Sequence, residues 1–268
     1  MKIGKATVPR TAICTSDAHT IVVRGRDLSK DLIGKIGFVE HFFLLLTGRL
    51  PSAGQAAVLN ATLVAIAEHG LVPSVQAARM TFAAAPDALQ GAVASGILGC
   101  GSVVLGSSET AGRMYAEIAA RMGQGSGIDD AALAVMKDWR AAGQSIPGYG
   151  HPLHKERDER VNALFDVARA AGTDLGYVAI AEAAERALPQ LLGKPLKLNV
   201  SGAIPAVLLG AGFPVQALKG VPILARTAGL IAHLFEEMQQ PIGFALSYQA
   251  TREMVYDGDL PAGFGEHA

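Results

Sequence analysis

The sequence predicts an all-α protein. Three observations carry that expectation: apolar residues recur at helical spacing along most of the chain, alanine is abundant on the same stretches, and period-two alternation is confined to the N-terminal part. There, Thr11, Ile13 and Thr15, then Thr20, Ile21, Val22 and Val23, flank the turn-forming SDAH and predict a small hairpin. Ile36, Phe38, Val39, Phe42, Phe43, Leu45 and Leu46 repeat at helical spacing and stop at Gly48 and Pro51, so a helix is expected over about residues 36–47. The same pattern places helices at about 53–69, 74–84, 88–105, 109–122, 129–142, 157–171, 174–190 and 220–238. No βαβ alternation, internal repeat or low-complexity tract interrupts them, and GQGSG at 123–127 is the one linker-like stretch.

Composition narrows the function classes. With 268 residues, half of them apolar, the chain has enough material for one large core or two modest ones. Twenty-three Lys and Arg against 24 Asp and Glu leave a formal charge of -1, which gives no uniform field for a nucleic acid. Cys14 and Cys100 are too few for a disulfide framework, and no Cys–His set has zinc spacing; a reducing cytoplasm and no metal are expected. Lys2, Lys5 and Arg10 fall where an export signal needs an unbroken apolar run. The uncharged stretch from Ala88 to Ser108 has the length of a membrane span, but five glycines and interspersed serines make it weakly apolar. A helix buried on all sides, with no membrane, is the expected reading.

The most informative segment is GQSIPGYGHPLHKERDER, residues 143–160. Gly148 and Gly150 permit unusual backbone angles and close approach of a ligand, Pro147 and Pro152 stiffen the path, and His151 becomes a titratable group on a rigid turn. Read without further context, the same residues equally describe a helix connection followed by a solvated charge face.

PGYGHPLHKERDER resembles the signature PGFGHxxYKxxDPR of the citrate synthase superfamily. Further stretches agree in order: FLLLTGRLP (Phe43 to Pro51), Glu68-His69-Gly70 followed by Ala78-Arg79, Lys197-Leu-Asn199-Val200, and ARTAGLIAH (Ala225 to His233). The resemblance covers about residues 35–240, and at this length the chain looks most like the stand-alone citryl-CoA lyase branch and the lyase module of ATP-citrate lyase.

The resemblance implies a citrate synthase-like fold, with a large helical domain from 1–106 and 213–268 and a smaller closing domain at 107–212. It implies a homodimer or higher homo-oligomer, a CoA thioester as substrate or product, a small carboxylate partner and no permanently bound cofactor. Residue by residue, His151 matches the histidine that bonds the keto-acid carbonyl or the citryl hydroxyl, and His69 one that also contacts the keto-acid part. Arg160 and Arg226 match carboxylate-holding arginines. Pro147, Gly148, Tyr149, Gly150 and Lys155 match the segment that recognises coenzyme A. A guanidinium grips a carboxylate with two hydrogen bonds, and an imidazole stabilises oxyanion charge, so the residue types suit those tasks.

Three positions depart from the family pattern. Leu105 stands where the family has the histidine that donates to the thioester oxygen, Ser201 where it has the carboxylate that exchanges the acetyl proton, and QPIGF (Gln240 to Phe244) where a third arginine is expected. A serine is a poor base near neutral pH, but returning a proton to an enolate is the easier direction and has Ser201, Glu109, His154 or water available. The expected activity is therefore carbon–carbon cleavage of a 3-hydroxyacyl-CoA such as citryl-CoA to acetyl-CoA and oxaloacetate. The alternatives are a condensing acyltransferase of the citrate synthase type and a silent CoA or carboxylate binder. The missing arginine points to a substrate with one carboxylate fewer than citrate.

Overall fold

The N-terminal hairpin forms as expected: Cys14–Ser16 (β1) pairs antiparallel with Ile21–Val23 (β2), Thr15 opposite Val22. The Asp17 carboxylate accepts the His19 and Thr20 N–H groups, both at 2.8 Å, which closes the turn. Arg26–Asp27 (β3) adds a short third strand. The computed structural model describes residues 8–101, 105–150 and 157–265.

Helices make up the rest: Phe38–Thr47 (α1), Ala53–Ala67 (α2), Pro73–Ala84 (α3), Leu89–Leu98 (α4), Gly106–Met122 (α5), Ile128–Ala141 (α6), Glu159–Ala170 (α7), Gly176–Leu192 (α8), Val200–Gly210 (α9), Gly220–Gln239 (α10) and Gly243–Arg252 (α11). The chain divides into two compact units, Met1–Glu68 with Gly101–Ala225 and His69–Cys100 with Arg226–Ala268.

In the first unit α9 is the central element, every residue from Gly202 to Leu209 being buried. It packs among Met114, Tyr115 and Ile118 of α5, Leu164 and Phe165 of α7, and Ala184 and Leu188 of α8. Gly202, Pro205 and Gly210 make it a poor helix by propensity; burial of its apolar surface and the cap supplied by Asn199 stabilise it instead. It is apolar all round, so it shows no amphipathic period, and α9 has no counterpart among the sequence-predicted helices.

The helix expected to be buried on all sides is a correction. The stretch 88–105 yields only the ten-residue α4, with Ala92 and Gly96 buried and Leu98 85% exposed. In the second unit α4 packs on α3, Phe82 and Val75 joining Ala92, Leu230 and Leu234 in a small core. Gly96 is needed there, because a Cβ on it would lie 2.8 Å from Leu230 Cδ1. Among the described residues the one stretch long and apolar enough to cross a membrane is Val215–Gln239, with 44% of an 18-residue apolar segment of it buried.

A buried ion cluster clips α3 to the turn between α10 and α11. Arg79 Nε donates to Glu237 at 2.6 Å, its Nη1 to Glu236 at 2.6 Å and its Nη2 to the Gln240 carbonyl at 3.1 Å. Glu237 also accepts the N–H groups of Ile242 and Gly243, at 2.9 and 2.7 Å. Burial pushes the Glu237 carboxyl up, but those two N–H groups and Arg79 outweigh it and hold the group below its ordinary value of 4.5. A depressed folded-state pKa stabilises the fold above the unfolded value and loses that contribution as pH falls through the folded one. Denaturant midpoints of the wild type are therefore expected to drop below about pH 4.5, and Glu237→Gln, already weaker at pH 7, to show a shallower acid limb; parallel limbs would contradict this.

Candidate functional site

The segment singled out by its glycines and prolines folds as an extended turn pinned to the start of α9. Gly148 and Gly150 both take left-handed backbone angles, φ +89° and +79°. Between them Tyr149 forms an antiparallel bridge with Leu198. Gly150 N–H donates to the Lys197 carbonyl at 2.7 Å, Asn199 N–H to the Gly148 carbonyl at 3.0 Å, and Asn199 Nδ2 to the Gly150 carbonyl at 2.7 Å. A Cβ on Gly148 would fall 2.7 Å from Gly202 Cα, so two backbones meet here with no room for a side chain.

Tyr149 turns its ring inward. Its hydroxyl lies 2.9 Å from the Ala181 carbonyl and 3.0 Å from the Tyr115 hydroxyl, and burial pushes both phenols well above their ordinary pKa. The backbone N–H and C=O of Tyr149 face away from Leu198, as the bridge requires, and have no partner among the described residues.

Asn199 caps α9, its Oδ1 accepting the N–H groups of Ser201 (3.0 Å) and Gly202 (3.3 Å). Ser201 is half-buried in the first turn, and its hydroxyl has no hydrogen-bond partner among the described residues. Pro205 has no N–H to return to the Ser201 carbonyl, so that oxygen also lacks its helical donor. Leu105 is buried immediately before α5. Glu109, in the first turn of α5, is held by Arg113.

The two arginines differ. Arg160 is already engaged by Asp158, Nη2 to Oδ2 at 2.7 Å and Nε to Oδ1 at 3.0 Å, which leaves its Nη1 reaching weakly for the Ala65 carbonyl at 3.5 Å. Arg226 is only 5% exposed, and its Nε and Nη1 have no partner among the described residues. A buried guanidinium without an acceptor is costly, and an anion bound against it removes the cost. His69 is exposed between α2 and α3. His151, His154 and Lys155 lie outside the described residues.

A cavity of about 420 Å³ adjoins the pinned turn, with Pro189, Pro195 and Leu196 as its apolar wall and Arg157, Glu185 and Lys197 among its charges. Leu196 would touch a Cβ placed on Gly150, at 3.4 Å. Arg157 pairs with Glu185 at 3.0 Å and lies over the Phe165 ring at 5.8 Å. In the sequence Arg157 falls in a run that reads equally well as a solvated charge face, and Lys197 has no role; that a half-buried arginine breaks the run needs the fold to be seen. A larger hollow of about 660 Å³ around Arg26, Lys30 and Lys35 carries solvated charges, Lys30 pairing with Asp27.

The described residues thus offer a helical scaffold, a cavity of about 420 Å³ beside a doubly left-handed glycine turn and, elsewhere in the chain, a buried guanidinium with two nitrogens lacking an acceptor. The chain belongs to the citrate synthase family: residues 53–243 match the family model described as citrate synthase, C-terminal domain. It is 27% identical over 210 residues to citrate synthase of Synechocystis sp., covering 76% of this chain and 50% of that one. With citrate/2-methylcitrate synthase of Bacillus subtilis it shares 30% identity over 210 residues, 75% of this chain and 53% of the relative. It thus spans about half the length of the synthases it matches. Among solved structures, citryl-CoA lyase from Hydrogenobacter thermophilus superposes with a TM-score of 0.83 at 31% identity, over 97% of this chain and 99% of that one. ATP citrate lyase of Methanosaeta concilii, solved with (3S)-citryl-CoA, shares the fold at a TM-score of 0.76 and 22% identity, over 99% of this chain and 44% of that one.

Proposed function

We propose that this protein is a lyase that cleaves citryl-CoA, or a closely related 3-hydroxyacyl-CoA, to acetyl-CoA and a keto acid such as oxaloacetate. The observation that carries the reading is the likeness to the Hydrogenobacter citryl-CoA lyase, which extends over 97% of this chain and 99% of that one. Arg226 supports it as a buried cation awaiting a carboxylate, and the cavity beside Gly150 as a place for the nucleotide end of the coenzyme.

The chemistry balances without an oxidant. A base, the role assigned to His151, takes the proton of the 3-hydroxyl; the electrons of the breaking carbon–carbon bond pass into the thioester as an enolate, and the hydroxyl carbon becomes the keto-acid carbonyl. The enolate then takes a proton from Ser201, a neighbouring acid or water, giving acetyl-CoA. Cleavage needs no group that can abstract a methyl proton from acetyl-CoA, which suits a chain with Ser201 and Leu105 where the synthase pattern has a carboxylate and a histidine.

The test is incubation with citryl-CoA and, separately, with a 3-hydroxyacyl-CoA carrying one carboxylate fewer, following acetyl-CoA and keto acid. Release from either ester supports the lyase. Faster thiol release from acetyl-CoA and oxaloacetate than cleavage in the same preparation would replace it with the condensing reading, and tight CoA binding without turnover with the silent binder.

The reading includes a homodimer. Ile231, Phe235 and Met238 form an exposed apolar row on α10, with Leu98, Phe244 and Tyr248 also exposed in the same unit, more than a solitary surface usually leaves in water. Light scattering is expected to give twice the chain mass, and Ile231→Asp with Phe235→Asp to give one chain; an unaltered mass would remove this face from the interface.

A further inference from the structure

We propose that Ser74, at the start of α3, is a further carboxylate-binding residue and forms with Arg226 a single buried pocket for one carboxylate of the substrate. The inference rests on the carboxylate reading of Arg226 above and deepens it by adding a second donor.

Ser74 is 1% exposed, and its hydroxyl has no hydrogen-bond partner among the described residues. The large majority of buried polar side chains are hydrogen-bonded, so an orphan of this kind marks a place for a ligand. The backbone around it is in the same condition. Val72, the residue before the helix, offers no side-chain cap, Pro73 has no N–H, and the Ser74 N–H finds no acceptor among the described residues. The positive end of a twelve-residue helix is thus left with a hydroxyl and a peptide N–H unspent.

Packing brings this end of α3 to the side of α10 that carries Arg226. A Cβ on Gly96 would touch both the Ser74 carbonyl and Leu230 Cδ1, each at 2.8 Å, so Ser74 lies beside Leu230. Further along both helices, Arg79 bonds Glu237. α3 and α10 therefore advance in the same direction, and Arg226, one turn before Leu230, stands at the N-terminal end of α3. Helical side chains lean toward their own N-terminus, so Ser74 and Arg226 lean toward the same end of the pair. The acids of α10 do not compete for that end: Glu236 and Glu237 stand about three turns away and are held by Arg79.

Charge decides what the pocket takes. One guanidinium balances one negative charge, and a buried site penalises any remainder, so a carboxylate fits where a phosphate dianion does not. The hydroxyl and the helix end add hydrogen bonds without adding a second unit charge.

Ser74→Ala keeps the Cβ and removes only the oxygen. Calorimetry on the full chain is expected to show affinity for oxaloacetate lower by about tenfold, with the melting temperature equal or higher, since the orphan leaves with the hydroxyl. Ser74→Asp places a carboxylate of the protein's own in the pocket. It should abolish oxaloacetate binding and hold or raise the melting temperature, because the group meets Arg226; combined with Arg226→Met, the same aspartate should melt several degrees lower. Undiminished affinity in Ser74→Ala overturns the proposal, as does a Ser74→Asp that melts several degrees below the wild type with Arg226 in place. Inorganic phosphate that displaces oxaloacetate at equal concentration, or a wild type that binds neither citrate nor oxaloacetate, overturns it too. The lyase reading fails on a different result: binding of oxaloacetate that depends on Ser74, without cleavage of any ester, removes that reading and leaves this one standing.

Discussion

Arg226→Met is expected to cost roughly two orders of magnitude in affinity for citrate or oxaloacetate while leaving the melting temperature of the free protein unchanged or higher. The two halves of that result have one cause. Removing one partner of a buried charged pair typically costs about 2–5 kcal/mol of binding, about thirtyfold or more, because the other charge is left without its match. In the free protein the situation reverses: the Arg226 guanidinium is 5% exposed and two of its nitrogens have no acceptor among the described residues, so methionine relieves a desolvation penalty. Calorimetry for the ligand and thermal unfolding without it make the comparison. Full ligand affinity would free Arg226 of its assigned role. A marked loss of stability would mean that the side chain is satisfied within the fold and serves packing. Arg160 is the contrasting case, since its fork is filled by Asp158; Arg160→Met should destabilise the start of α7, where that carboxylate also accepts the Arg160 N–H.

How much of this was legible in the chain depends on the distance over which the causes act. Local causes are readable. Amphipathic helices such as α1, α6 and α8 show their period, the hairpin shows alternation around an Asp-centred turn, and the left-handed angles at 148 and 150 fall on glycines, which permit them. The Asp158–Arg160 clamp is local as well, but the resemblance directs attention to the arginine alone. Non-local causes are not. Nothing near Tyr149 in sequence announces that Leu198 pairs with it, that Tyr115 meets its hydroxyl, or that Gly202 lies under Gly148. α9 escapes for a different reason, being uniformly apolar where periodicity needs contrast, and α4 stops at Leu98, ahead of Gly99 and Gly101, whose low helix propensity the apolar composition masks. The family motifs bridge part of that gap by carrying non-local information in their order.

Gly148→Ala is expected to be far more damaging than Gly143→Ala, a change at a glycine with the same kind of backbone. Both glycines have positive φ, +89° and +75°. An alanine in that region costs about 1–2 kcal/mol from the clash of its Cβ with its own backbone. At Gly143 nothing else lies within 4 Å of the added carbon, so the cost stops there. At Gly148 the added carbon meets Gly202 Cα at 2.7 Å and Gly202 N at 3.2 Å. These are backbone atoms at the start of a buried helix, with no rotamer to yield, and overpacking of that kind adds about 1–3 kcal/mol. The total of about 2–5 kcal/mol corresponds to a melting temperature lower by roughly 5–15 °C for a chain of this size, against a few degrees for Gly143→Ala. Trp139 reports it: the one tryptophan of the chain, it is buried in α6 with its indole N–H on Glu117 at 2.6 Å. If the two variants melt together, the seam between Gly148 and Gly202 is looser than drawn.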